Sequence, residues 1–366
     1  MFDSVIQKVY KRSVNENPVE MYASLLTVYA YARYGIYKGD QKVIEDIRQQ
    51  MTPFIQGEVP LDSIVGSYKS YEAGGNGTAY LWFKGEFDSA GPALERSSRE
   101  LLKNHPRSAE SLFSMPGKAD SEHVWIDTVY AVTPYLTWLG LGKGDESLVN
   151  EAHDQMKKSY DLLLNPDNGM LHQARGFNGF GIFSSDHWSR GNGWGLLALA
   201  DVIDILPPDH KHHSSYAQML KDLLSAVLKY QDEWGMWHQE MTLPESYVEV
   251  SGTGLILYAL GRALEKKVLE GESYYKILKK GIAGLMRYIS LDGSIHNCCR
   301  GCLAPEEGRI EDYIRRGWVL NDVHAFGPVI LALTEADIAG LSWDELIGYP
   351  FPRGLKEEVL NVNLPL

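Results

Sequence analysis

The chain has 366 residues, 44% hydrophobic and 23% charged, and a formal net charge of −13. The composition is globular, and an acidic chain without a basic stripe excludes nucleic acid as a partner. No stretch is long and apolar enough to span a membrane, and the opening residues put no basic region ahead of an apolar run, so a cytoplasmic location and no membrane partner are expected.

Helical periodicity runs along the chain, while sustained strand alternation does not. Val5-Ile6 and Val9-Tyr10 open one helix. From Met21 to Tyr34 the chain is apolar nearly all round, as a buried helix is. Gly35 and Gly39-Asp40 interrupt it, and Val43-Ile44 with Ile47 starts an amphipathic partner. The same unit recurs. Stretch 78–83 precedes 93–102, and 124–139 precedes 148–164 across a Gly-rich turn. Stretch 195–205 ends before Pro207-Pro208 and precedes 216–230. Stretch 251–264 precedes 274–289, and 325–338 comes near the end.

About six such pairs fit into the chain, and six hairpins with apolar inner helices close into an all-α (α/α)6 barrel. An open solenoid is the alternative. Long connections rich in Gly, aromatics and His (66–77, 169–193, 235–250 and 293–319) precede inner helices, which places them on one rim, where a functional face belongs. No low-complexity linker divides the chain, so residues 1–366 read as a single domain.

The three cysteines, Cys298, Cys299 and Cys302, fall within one short run. An odd, clustered set is not a disulfide framework. His296 with Cys299 and Cys302 is a partial zinc pattern, but no second ligand cluster follows it. Reduced thiols, with no metal and no cofactor, are the expectation.

Two stretches carry candidate chemistry. In Trp188-Ser189-Arg190-Gly191-Asn192-Gly193-Trp194, two indoles flank a guanidinium that suits a carboxylate. The glycines allow close backbone approach, and Asn192 tolerates a turn. A ligand with a ring and a carboxylate, such as a uronic acid, fits this set. In His123-Val124-Trp125-Ile126-Asp127-Thr128-Val129-Tyr130, Asp127 sits where an inner helix starts, among apolar and aromatic residues. It is either a helix cap or a carboxyl whose pKa burial raises, making it a general acid near neutral pH.

Four stretches in order resemble the unsaturated glucuronyl and rhamnogalacturonyl hydrolases of glycoside hydrolase families 88 and 105. They are 125–135, 188–194, 247–254 with Glu249 and Ser251, and 321–328 with Asp322 and His324. The resemblance implies an (α/α)6 barrel acting on small anionic oligosaccharides left by polysaccharide lyases. It implies hydration of the C4=C5 enol ether, with Asp127 as general acid and base, protonating C4 while water adds at C5, after which the hemiketal opens and releases the aglycone. It further implies that His172 contacts substrate and that Trp188, Arg190 and Trp194 hold the uronate. This chain departs from the family at its second carboxylate, an upstream Asp, where only Glu72 and Asn76 stand in the corresponding region. Glu72 or Asn76 then substitutes for it, the substrate differs, or the pocket is rebuilt around Glu72 and His123; the rival readings are a conventional glycosidase and an inactive sugar-binding toroid. Glu249 reads more simply as a helix cap.

Overall fold

The computed structural model describes residues 2–63, 68–114, 122–301, 310–347 and 349. Its helices, in chain order, are α1 (Asp3–Glu16), α2 (Tyr22–Lys38), α3 (Gln41–Gln56), α4 (Gly75–Phe83), α5 (Gly91–Asn104), α6 (Asp127–Lys143) and α7 (Glu146–Leu163). They continue with α8 (Ser189–Ile205), α9 (His213–Val227), α10 (Val250–Glu265), α11 (Glu272–Met286), α12 (Ile310–Arg315), α13 (Val323–Ile338) and α14 (Trp343–Ile347).

Six of these helices form a closed inner ring. Helix α2 packs on α4, α4 on α6, α6 on α8, α8 on α10, α10 on α13, and α13 back on α2. Closure rules out the open solenoid and makes the fold an (α/α)6 toroid. The inner helices are buried on every face, as in α2, where each residue from Ala23 to Gly35 is buried. The outer helices α3, α5, α7, α9 and α11 each follow their inner partner. The sixth outer helix is α1, from the opposite end of the chain, which packs on α13. Outer helices bury one stripe; α3 hides Val43, Ile44, Ile47, Met51 and Phe54 and leaves its other face to water.

A Gly-Asp pair makes the same turn twice. Gly39 and Gly144 end α2 and α6 in the left-handed region, at φ 63° and 67°. Asp40 and Asp145 then cap α3 and α7, accepting from the backbone N–H groups of Lys42 and Val43 and of Ser147.

Strand pairs are small and local. Val124–Trp125 (β1) lies antiparallel to Ala174–Arg175 (β2), and Cys298–Cys299 (β3) to Trp318–Val319 (β4). Both pairs staple long connections onto the N-terminal ends of the inner helices. Three boundaries differ from the sequence reading. Helix α6 starts at Asp127, because residues 124–125 pair with β2. Helix α4 starts at Gly75 and α8 at Ser189, so two glycine-rich runs read as loops are helical. In the described residues, no helix is long and apolar enough to cross a membrane.

Candidate active site

The N-terminal ends of the inner helices converge on one cleft. Tyr22 of α2 stacks with Tyr71, which lies in a short 3-10 turn before α4. Tyr130 of α6 stacks on Trp194 of α8 at 5.1 Å. Arg190 of α8 donates to Ser251 Oγ of α10 at 3.0 Å. His324 of α13 bonds the Tyr22 hydroxyl. Helices α2, α4, α6 and α8 have no side-chain cap, so their first-turn N–H groups leave a partial positive charge at this end.

Asp127 is the first residue of α6 and stays partly exposed. Burial of its carboxyl pushes the pKa up to about 7, against the opposing pull of the Gln173 amide, the Arg190 charge and the Trp194 indole. Gln173 Nε2 donates to Asp127 Oδ2 at 2.6 Å, and the backbone N–H of Ile126 donates to Gln173 O at 3.1 Å. The β1–β2 pairing therefore sets the acid against its partner amide. Gln173 in turn rests on Gly191, where a Cβ would meet Gln173 Oε1 at 1.9 Å. That close approach, rather than a turn, explains the first glycine of the Arg-Gly-Asn-Gly run. The second, Gly193, faces Leu255, whose Cβ would lie 2.8 Å from an added Cβ. Asn192 accepts from Leu171 N at 2.8 Å and donates to Leu171 O at 3.0 Å, so it clamps the preceding connection instead of making a turn.

Arg190 is 1% exposed. Its Nη1 donates to Cys299 O at 2.9 Å, and its guanidinium lies over the Trp188 ring at 4.4 Å. It makes no ion pair with a described residue, and its Nε has no hydrogen-bond partner. A buried cation without a carboxylate is costly unless a ligand supplies one. Trp188 is buried and donates from Nε1 to Cys299 Sγ at 3.2 Å. Cys298 and Cys299 are buried free thiols, while Cys302 lies outside the described residues.

The remaining sequence candidates scatter. His172 is turned toward the connection, with Nδ1 2.7 Å from Ser184 O and its ring 5.5 Å from that of His187; its neighbour Gln173 is the residue on Asp127. Asn76 is buried and donates to Tyr130 O at 2.9 Å, beneath the aromatic floor. Glu72 lies near Tyr135, whose hydroxyl bonds Leu94 O of α5, and its Oε2 is buried with no hydrogen-bond partner among the described residues. His123 packs edge-on against Phe177 at 4.7 Å. Glu249 is a cap, as read: it accepts from Ser251 N, Gly252 N and Cys299 N at 2.8, 2.6 and 3.1 Å.

Sequence reasoning missed Gln173, Tyr22, Tyr71 and Tyr130. The tyrosines sit in apolar helical patterns and read as core; only their shared position at helix starts marks them. It also missed Glu240, a buried carboxyl near Asp186, which the sequence offers as a ligand contact or a turn cap. Asp186 accepts from Tyr313, and Glu240, raised by burial to about 7, accepts from His187 N at 2.7 Å.

The pattern of Glycosyl Hydrolase Family 88 matches residues 4–338. The chain is 26% identical over 206 residues to the unsaturated rhamnogalacturonyl hydrolase YesR of Bacillus subtilis (strain 168), a match covering 56% of each chain. The chain spans about half the length of the curated relatives it matches first. Among solved structures, a family 105 glycoside hydrolase of C. acetobutylicum ATCC 824 superposes with a TM-score of 0.76 at 23% identity, covering 91% of this chain and 99% of that one. The unsaturated glucuronyl hydrolase of Bacillus sp. GL1, described as responsible for degradation of glycosaminoglycan, superposes at 0.67 and 15% identity, covering 97% and 100%.

Proposed function

Because the chain belongs to glycosyl hydrolase family 88, we propose that it releases the terminal 4,5-unsaturated uronic acid from lyase-generated oligosaccharides. The observation that carries this reading is Asp127: a carboxyl with a pKa of about 7, held by Gln173 at a partly exposed position, near a buried arginine that has no carboxylate partner among the described residues. A carboxyl that keeps its proton near neutral pH is a competent general acid.

In this reading Arg190 and the uncapped helix starts draw the uronate carboxylate inward despite the net charge of −13. Trp194, stacked on Tyr130, supplies an apolar wall for the ring, and Trp188 holds the Arg190 guanidinium flat. Asp127 then protonates C4 of the enol ether, and water adds at C5. The hemiketal opens and the aglycone leaves. A two-carboxylate glycosidase has less support, since Glu249 spends both oxygens on capping. The buried free thiols of Cys298 and Cys299 fit a reducing compartment, so we place the activity in the cytoplasm.

The test is ultraviolet absorbance of unsaturated disaccharides from pectin, ulvan and glycosaminoglycans incubated with the protein. Loss of the conjugated alkene signal on any of them is the expected outcome. A flat signal across the set, from folded protein, overturns the reading.

A further inference from the structure

The first turn of α13 does more than start a helix. Asp322 Oδ1 accepts the backbone N–H of His324 at 3.0 Å, the ordinary work of an N-cap. The same oxygen lies 2.7 Å from His324 Nδ1. A carboxylate at Nδ1 places the ring proton there and leaves Nε2 as an acceptor. Nε2 is 2.6 Å from the Tyr22 hydroxyl, in the first turn of α2, so the phenol donates to the imidazole. Carboxylate, imidazole and phenol form one unbroken hydrogen-bonded chain across the seam where the ring closes.

The phenol end belongs to the cleft. Tyr22 stacks with Tyr71 at 6.4 Å, and both Tyr22 and Asp127 act electrostatically on Tyr71. Arg190 lies within electrostatic reach of both Tyr22 and Asp127. The charges supporting the relay also agree. Burial, followed by the nearby Arg190 charge, keeps His324 below its usual pKa and so neutral at pH 7. Burial works against the Asp322 carboxylate, but the His324 contact holds its pKa below the ordinary value. His324 is faced by Tyr22 from α2, Arg190 from α8, Glu249 from α10 and Asp322 on its own turn.

We propose that Tyr22, backed by His324 and Asp322, is the base of the hydration step, a role that the resemblance alone gives to Asp127. The inference rests on the hydration reading above. Asp127 gives its proton to C4. One O–H bond of water breaks as its oxygen bonds C5, and that proton passes to the Tyr22 oxygen. The Tyr22 proton moves to His324 Nε2, and Asp322 stabilises the imidazolium. One proton leaves Asp127 and one arrives at His324, and exchange with solvent resets both groups.

The experiment compares steady-state loss of the alkene signal in the unmutated protein, Tyr22→Phe and Asp322→Asn. Tyr22→Phe keeps the stacked ring and is expected to lower kcat by about a hundredfold or more, with KM held within about threefold. Asn caps helices as well as Asp does, so Asp322→Asn is expected to leave the melting temperature alone and still lower kcat by about tenfold. It is also expected to move the acid limb of the pH profile, because the imidazolium loses its counter-charge. A merely structural first turn predicts no change in either. Loss confined to KM, or kcat within about threefold of the unmutated value in Asp322→Asn, overturns the relay. If Tyr22→Phe fails to fold, Asp322→Asn decides alone. An unmutated protein that leaves the alkene intact overturns the hydration reading itself, whereas an active protein beside unimpaired variants overturns only the relay.

Discussion

At the C-terminal end of the inner ring, Arg33 lies 3.1 Å from Asp204, Arg262 lies 3.1 Å from Asp204 and 2.6 Å from Glu335, and Lys266 lies 3.1 Å from Asp204. At the N-terminal end of the same ring, Arg190 is as deeply buried and makes no ion pair with a described residue. Raised carboxyl pKa values do not separate the two ends. Burial lifts Asp201 to about 6 and Glu335 to about 7, close to Asp127. What separates them is access and pairing. Asp201 is sealed at 0% exposure and accepts from both Tyr29 and Tyr258, and Arg33 lies over the Tyr29, Tyr80 and Tyr258 rings. Asp127 is partly exposed and has one amide partner in Gln173. A perturbed group marks a candidate site only when a ligand can reach it and its countercharge is missing.

The largest expected effect at the open end comes from Asp127→Asn. Turnover of unsaturated disaccharides should fall by about ten-thousandfold or more, while circular dichroism stays unchanged. In the unmutated protein kcat/KM should fall as the pH rises through about 7, because only the protonated acid acts. Stability should move the other way. The folded pKa lies above the unfolded value of 3.8, so the carboxyl costs nothing at low pH, and its cost grows as the pH rises through 4 to 7 and is constant above. Asp127→Asn should therefore melt higher than the unmutated protein at pH 8 by roughly 1–2 kcal/mol after solvent screening, with the gap closing toward pH 4. Equal melting at both pH values contradicts burial as the cause of the shift.

The closed end should show the converse. Arg33→Met leaves Asp204 with Arg262 and Lys266 but strips Asp201 of its nearest cation. Breaking a buried network of this kind costs about 3–5 kcal/mol, read as a lowered denaturant midpoint. Turnover per folded molecule should stay within about twofold. A collapse of kcat in protein that remains folded would mean the two ends are coupled and are not separate devices.

The ring was readable because burial on every face leaves an unbroken apolar pattern, as in residues 21–34, and because Gly39-Asp40 and Gly144-Asp145 punctuate it with turn and cap chemistry. Asp127 and Arg190 were readable as charges set among aromatics. Gln173 was not, since an amide one residue beyond a histidine carries no periodic signal; only the pairing of β1 with β2 brings it to Asp127. His172 drew attention through the family resemblance, yet its Nδ1 bonds Ser184 O. The glycines of the central motif do allow the close approach expected of them, but to protein side chains. Their job is helix packing against Gln173 and Leu255, a tertiary fact that no local rule contains. The contact of α1 with α13 is likewise invisible locally, because it joins the two ends of the chain.

The finest test of the contrast is Arg190→Lys. A lysine keeps the charge at the open end but loses the planar fork: it has neither the flat guanidinium that lies over the Trp188 ring nor a second terminal nitrogen beside the one that bonds Ser251 Oγ and Cys299 O. If the guanidinium is held for a substrate carboxylate, the loss falls on binding common to ground and transition states, so KM should rise by about tenfold while kcat changes little. The opposite split, an unchanged KM with a reduced kcat, would place Arg190 in the electrostatics that set Asp127, since the Arg190 charge is one of the influences opposing the raised pKa. The pH profile separates these cases. A lysine that still supplies the charge leaves the limb near pH 7 in place, whereas a displaced charge moves that limb upward. At the closed end, Arg262→Lys is expected to shift no kinetic constant at all, because its partners Asp204 and Glu335 are protein carboxylates already in position.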